Sequence, residues 1–212
     1  MSSDKPCFDM HVHTKYSGDG RLEPAELIKI CRKSGLSGVA VTDHNTIAGG
    51  IETSKIVGDV EVIVGAEIMT DFGEVIGYHL TQEIRSRRIG EVIDEIKAQG
   101  GYLSVPHPFD TLRKGSLDQG KLREITKYLD FIEACNARSF WFCNKRAGEY
   151  AARNAVPVLG GSDAHMGFEV GRCFTVFKDF EKMEMDHIEA NVNLFYPFYP
   201  LVRTKFYKIF RL

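Results

Sequence analysis

Residues 8–20 read FDMHVHTKYSGDG, and the fold turns on what this stretch has in common with others. The run Cys7–Val12 has the length and apolar content of a buried strand. Polar chemistry follows at once: His11 and His13 stand two apart, then come small residues and Asp19. Side chains alternate along a strand, so the two histidines point the same way.

The pattern recurs down the chain. Val39–Thr42 runs into TDHN, with Asp43 and His44. Val60–Met69, rich in β-branched residues, carries Glu67 inside VGAE. Glu74–Leu80 reads as another strand, reached through the Asp71–Gly73 turn. Tyr102–Val105 leads into PHPFD (His107, Asp110), and Phe131–Cys135 into ACNAR (Asn136, Arg138). Val156–Leu159 leads into GGSDAH (Asp163, His165), and Cys173–Phe177 reads as a last strand. Helical patterns lie between. Pro24–Ser34 has proline in its first turn, Leu27, Ile28 and Cys31 on one face, and Gly35 as its stop. Ile89, Val92, Ile93 and Ile96 share helical spacing; Lys121–Tyr128 and Phe140–Arg153 also read as helical.

Strand, loop and helix in about seven such units predict an α/β protein with a parallel sheet. That rhythm suits an open sheet or a barrel. Six of the seven histidines precede residue 166, and five of those six fall at strand ends. In a parallel barrel the strand C-termini gather at one mouth, where side chains from several strands meet. The expectation is therefore one TIM-like barrel domain over residues 1–190.

Composition agrees. A chain of 212 residues with 43% apolar and 26% charged residues can bury a sizeable core. A net charge of −2 gives no reason to expect a nucleic-acid scaffold. Five cysteines, an odd number without a CxxC, argue against a disulfide framework or a thiolate zinc site, and predict a reduced, cytoplasmic protein. MSSDKPCF lacks the apolar run of a signal peptide, and no run approaches the 18 apolar residues of a membrane span. Residues 191–212 differ: four Lys/Arg, no acid and seven Phe/Tyr. This segment is expected to pack on the domain with its basic tips in solvent, or to form an oligomer contact.

Imidazole and carboxylate without thiolate suit zinc, manganese or iron(II). Eight candidates would converge at the mouth: His11, His13, Asp19, His44, Glu67, His107, Asp163 and His165. One tetrahedral ion cannot use eight. Two or three ions, with a bridging carboxylate such as Glu67, would. Such centres suit the hydrolysis of phosphate esters. Asp43 reads as a group orienting a ligand histidine. Arg138 could grip a phosphate bidentately; Lys15, Arg113 and Lys114 are weaker candidates for that role.

HVHTKYSGDG, VTDHNTIAGG, PHPFD and GSDAH, in this order, resemble the motifs of the PHP (polymerase and histidinol phosphatase) family over residues 8 to about 178. The resemblance implies a distorted (β/α)7 barrel with a two- or three-metal centre and phosphoesterase activity. It implies one ion on His11, His13, Glu67 and Asp163, a second sharing Glu67 and taking His107, and a third on Asp19, His44 and His165. Where many relatives carry a further histidine, this chain offers Glu74 or His79, with Asn136 a weaker choice. The expected substrate is a phosphorylated small molecule or a nucleotide, attacked by activated water, with Arg138 assisting and His165 or Asp163 relaying a proton. A nuclease trimming short oligonucleotides is the alternative. A non-catalytic metal- or partner-binding domain is the rival from another class.

Overall fold

Strands and helices alternate along the chain in the computed structural model, which describes residues 5–113 and 115–191. In chain order they are β1 (Cys7–Val12), α1 (Pro24–Ser34), β2 (Gly38–Val41), α2 (Ala48–Ser54), β3 (Glu61–Thr70), β4 (Gly73–Tyr78) and α3 (Ile89–Ala98). There follow β5 (Tyr102–Val105), α4 (Gln119–Ile125), β6 (Phe131–Asn136), α5 (Trp141–Asn154), β7 (Val158–Gly161), β8 (Cys173–Asp179) and β9 (Glu184–Ala190).

The strands form one sheet in the order β7-β6-β5-β4-β3-β2-β1-β8-β9. Beyond its last residue, β7 curls back onto β1. The Asp163 N–H donates to the His11 carbonyl at 2.7 Å, and the His13 N–H to the Ala164 carbonyl at 2.8 Å. Seven strands thus nearly close a barrel, and β8 and β9 form a hairpin along its β1 side. Gly161 permits the closure: a Cβ there would stand 2.5 Å from the His11 Cβ.

The sheet is not parallel throughout, as the strand–helix rhythm suggested. β4 runs antiparallel to both β3 and β5, and β8 and β9 are also antiparallel. Only Asp71 and Phe72 separate β3 from β4. So short a link can only reverse the chain, because a parallel return needs a crossover of a dozen residues or more. The reversal brings the first residues of β4 to the mouth where the other barrel strands end.

Two elements escaped the sequence reading. α2 contains AGGIETS, a weak helix former. Its Gly49 lets the helix approach Asp43, whose Oδ2 would lie 1.9 Å from an added Cβ. β9, EMDHIEA, is charged and largely exposed and shows no apolar alternation; such composition suits a sheet edge. His187 is exposed on β9 between Asp186 and Glu189.

Phe8 and Met10 of β1 pack with Ala40, Ile63, Ile76 and Tyr78 inside the barrel. Val39 and Val41 face outward onto Leu27 and Ile28 of α1. A register shift between Asp9 and Val12 breaks the alternation of β1 once, so Val12 joins the outer cluster. Val92 and Ile96 of α3 pack with Leu103 and Val105. The five cysteines are unpaired. Among the described residues no helix is long and apolar enough to cross a membrane. The aromatic and basic segment 191–212 lies outside the described residues except for Asn191, whose N–H donates to the Arg172 carbonyl.

Candidate metal centre

Where the strands end, their polar residues meet. His11 and His13 present their Nε2 atoms 3.1 Å apart. Glu67 Oε2 lies 3.5 Å from the first and 3.3 Å from the second. Asp163 Oδ1 lies 3.8 and 3.4 Å from the same two atoms. A tetrahedral ion about 2.0–2.2 Å from nitrogen and oxygen ligands holds them about 3.3–3.6 Å from one another. The two imidazoles therefore already stand close to that spacing from each other and from each carboxylate, with Glu67 and Asp163 on either side of them.

Hydrogen bonds from behind aim the two imidazoles. His11 Nδ1 is 2.9 Å from Glu133 Oε1, and a carboxylate can only accept, so Nδ1 carries the proton. Ser17 Oγ donates to Asp43 Oδ1 at 2.8 Å, so toward His13 Nδ1, 2.9 Å away, it accepts. In both rings Nε2 is left to face the centre. Asp43 also takes the N–H and hydroxyl of Thr14, each at 2.6 Å. It therefore orients His13 through Ser17 and does not join the cluster itself.

Glu67 links this set to its neighbours. Its Oε1 is 3.2 Å from His107 Nε2, and its Oε2 is 3.1 Å from His44 Nδ1. Glu74 Oε1 is 3.9 Å from His44 Nδ1, and its Oε2 is 3.9 Å from His107 Nε2. His107 keeps Nδ1 buried with no hydrogen-bond partner among the described residues. On the other side, Asp19 Oδ1 stands 3.7 Å from His44 Nε2 and 3.6 Å from His165 Nε2. The His165 ring lies 4.3 Å from that of His13, and its Nδ1 is 2.9 Å from the Asp163 carbonyl. All eight residues expected at the mouth, together with Glu74, thus occupy one chain of contacts.

His79 does not. It is exposed at the far end of β4, its ring against Tyr102. The reversal of β4 explains this, since its start reaches the mouth and its end cannot. Asn136 lies behind the cluster, its Nδ2 donating to Glu133 Oε2 at 3.0 Å and to Asp163 Oδ2 at 3.2 Å.

Electrostatics match the crowding. Burial would discharge His11, but Glu133, Asp163 and Glu67 outweigh it and hold the imidazole charged well above its ordinary range. Burial and the nearby His165 push His13 down to about 3. His11 can thus share its Nε2 proton with neutral His13 until a cation replaces it. Burial likewise opposes charge on His44, yet Glu67 and Asp19 raise it to about 9. Burial, then the Glu67 charge, push Glu74 up to about 7. Asp163 stays ionised despite burial because of Arg113 and His11.

Two guanidiniums flank the cluster. Arg113 bonds to Asp163 Oδ2, and its Nη2 donates to Asn136 Oδ1 at 3.3 Å. Arg138 Nη1 lies 3.4 Å from the Asp163 carbonyl, and its Nε 3.6 Å from Glu169 Oε1. Glu169 Oε2 in turn accepts the N–H groups of His165 and Met166 at 2.8 and 2.9 Å. His107 and Asp163 both adopt positive φ, 30° and 55°, a conformation that costs about 1–3 kcal/mol outside glycine and concentrates at functional sites.

The donor set fits divalent cations: nitrogen and carboxylate oxygen only, with lone pairs converging from six strands or strand ends. The PHP domain profile matches residues 9–139. The chain belongs to the PHP domain family. A PHP-associated profile matches residues 143–191. This PHP protein is 42% identical over 142 residues to an uncharacterized protein of Methanocaldococcus jannaschii, covering 61% of this chain and 81% of that one. It is 31% identical over 124 residues to a 5'-3' exoribonuclease of Haemophilus influenzae, covering 49% and 43% of the two chains. PsfC from Pseudomonas syringae shares the fold with a TM-score of 0.73 at 16% identity, covering 99% of this chain and all of that one. A metal-dependent phosphoesterase structure from Bifidobacterium adolescentis, itself so described only by inference, aligns with a TM-score of 0.63 at 20% identity, covering 76% and 88%.

Sequence reasoning missed Ser17, Glu133 and Glu169. Glu133 carried a signal: a carboxylate inside the apolar strand FIEACN is as costly as Glu67 in its own strand unless paired. Ser17 and Glu169 carried none, since serine in a turn and glutamate in a loop are ordinary.

Proposed function

We propose that this PHP protein is a metal-dependent phosphoesterase. What carries the reading is the set His11, His13, Glu67 and Asp163: the two imidazole Nε2 atoms stand 3.1 Å apart, and each carboxylate lies 3.3–3.8 Å from both of them. His11, His13, Glu67 and Asp163 would hold one divalent ion, Glu67, Glu74 and His107 a second, and Asp19, His44 and His165 a third. Zinc, manganese and iron(II) all suit these donors. Such ions, when bound, supply Lewis acidity to phosphate oxygens and to an attacking water.

The chain's own residues do the rest. Arg138 and Arg113, beside Asp163, bind and orient the phosphoryl group by charge and by their planar forks. Asp163 is a poor proton donor, because Arg113 and His11 keep it ionised; its carboxylate serves as ligand and anchor for Arg113. His165 Nε2, at the rim beside Asp19, faces the third ion's place, while its Nδ1 is turned to the Asp163 carbonyl.

Within this class, a small-molecule or nucleotide monophosphate is the first substrate reading. The similarity to the Haemophilus exoribonuclease favours the second, a nuclease trimming short oligonucleotides. Elemental analysis of the purified protein, with hydrolysis assays under Mn²⁺, Zn²⁺ and Fe²⁺, tests the proposal. A nucleoside monophosphate and a 5′-labelled short RNA separate the two readings. His13→Ala should lose metal and activity together while circular dichroism shows an unchanged fold. Full activity in that variant would sink the assignment.

A further inference from the structure

Large apolar side chains that stay exposed are unevenly distributed. Tyr16 follows β1, Met69 and Phe72 flank the β3–β4 turn, Leu112 follows β5, and Trp141 and Phe142 follow β6. All six sit around the mouth. Among the described residues the others of this kind are Ile51, Val57 and Tyr128, which lie on α2 or toward the opposite end. Apolar surface gathered around one site marks that site for a ligand with apolar or planar parts. A bare phosphate needs none.

The most exposed part of this rim is Leu112, Trp141 and Phe142, at 75%, 57% and 48% of full exposure. Asp110 ties its two loops together: Oδ2 accepts from Ser139 Oγ at 2.9 Å and from Arg113 Nε at 3.1 Å. Leu112 adjoins Arg113, which bonds to Asp163. Trp141 comes three residues after Arg138, at most about 11 Å of chain, and Arg138 lies against the Asp163 carbonyl. The rings are organised among themselves. Phe142 stacks on Phe140 with centroids 5.5 Å apart and planes 5° apart, and Trp141 meets Phe142 edge to face at 6.1 Å. Residues 140–142 fall between the two matched profile regions and belong to neither.

We propose that Trp141 and Phe142, with Leu112 beside them, form a stacking platform for the nucleobase of a nucleotide whose phosphate enters the metal centre. The inference rests on the phosphoesterase reading and narrows its substrate class to base-bearing phosphate esters. The physical basis is the pairing of flat aromatic faces with neighbouring cations, which holds bases by stacking and phosphates by charge whatever the base sequence. The platform accepts a free nucleotide or the end of a single strand through the same contact.

Trp141 is the only tryptophan in the chain, so its fluorescence reports the platform without turnover. The metal-loaded full chain is titrated with adenosine 5′-phosphorothioate, with a 5′-phosphorylated phosphorothioate trinucleotide, and with glycerol 2-phosphate as the base-free control. Saturable quenching by the first two and none by the third is expected. Tighter binding of the trinucleotide assigns the platform to strand ends, and equal binding assigns it to single nucleotides. Trp141→Ala and Phe142→Ala should each lower the preference for nucleoside monophosphate over glycerol 2-phosphate by about tenfold in kcat/KM, with Trp141→Tyr restoring most of it. Unchanged fluorescence with every base-bearing probe, or an equal loss on both substrates, overturns the platform. If the loaded protein hydrolyses no phosphate ester, the phosphoesterase reading fails instead, and the titration still decides whether bases bind.

Discussion

Glu133 offers the sharpest test of how the centre is built, because it touches no proposed ion and still governs two ligands. Its Oε1 takes the His11 Nδ1 proton at 2.9 Å, and its Oε2 takes the His107 N–H at 2.7 Å and Asn136 Nδ2 at 3.0 Å. All three neighbours are donors. Glu133→Gln keeps the volume and loses one acceptor, so at least one donor must face an NH₂ group. Removing a partner of this kind behind a ligand histidine costs about 10–100-fold in metal affinity, or about 1.4–2.7 kcal/mol. A second effect opposes it at neutral pH. Glu133 is the strongest of the charges that keep His11 protonated, so its loss also eases the competition between proton and metal. The deficit should therefore grow as pH rises and the proton competes less for His11. The assay is competition with a chromophoric chelator at pH 7 and at a pH above 9, with thermal melting of both metal-free chains as a control for folding. An affinity within threefold of wild type at the higher pH would refute the claim that Glu133 aims His11.

Other outcomes follow from the same geometry. His11 and His44 both hold protons at pH 7 in the metal-free chain, so metal loading should release protons and affinity should fall on acidification; calorimetry in buffers of different ionisation heat measures this. The His44 pairing also stabilises the metal-free fold, fully below the ordinary histidine value of 6.5, and that share fades as pH rises through about 9; melting curves across this window should record the decline. Glu74→Ala should reduce the bound metal by up to one ion, whereas His79→Ala should leave metal content as in the wild type; elemental analysis of both variants distinguishes the two ends of β4. Gly161→Ala places a Cβ 2.5 Å from that of His11 and should destabilise the fold by about 1–3 kcal/mol, read as a lower Tm.

Most of what was legible in the sequence was local. Apolar runs that stop at His11, His44, His107 and His165 are visible because a strand needs only a few consecutive residues to declare itself, and Pro24 with Gly35 marks a helix whose caps lie in the same stretch. From such runs the barrel, its mouth and the eight mouth residues could be read without coordinates. Glu74 could not be separated from His79, although both were in view. The choice depended on the direction of β4, which the two-residue link from β3 imposes.

What the sequence determined by itself was thus which residues end strands, since periodicity and turn chemistry act within a few positions. Only the tertiary structure decided which of them share an ion-sized space, how β7 reaches β1 across Gly161, and that Glu133 and Ser17 stand behind the imidazoles. Those relations join residues up to some 150 positions apart, such as His13 and Asp163, and depend on backbone hydrogen bonds and packing that no short window of sequence contains.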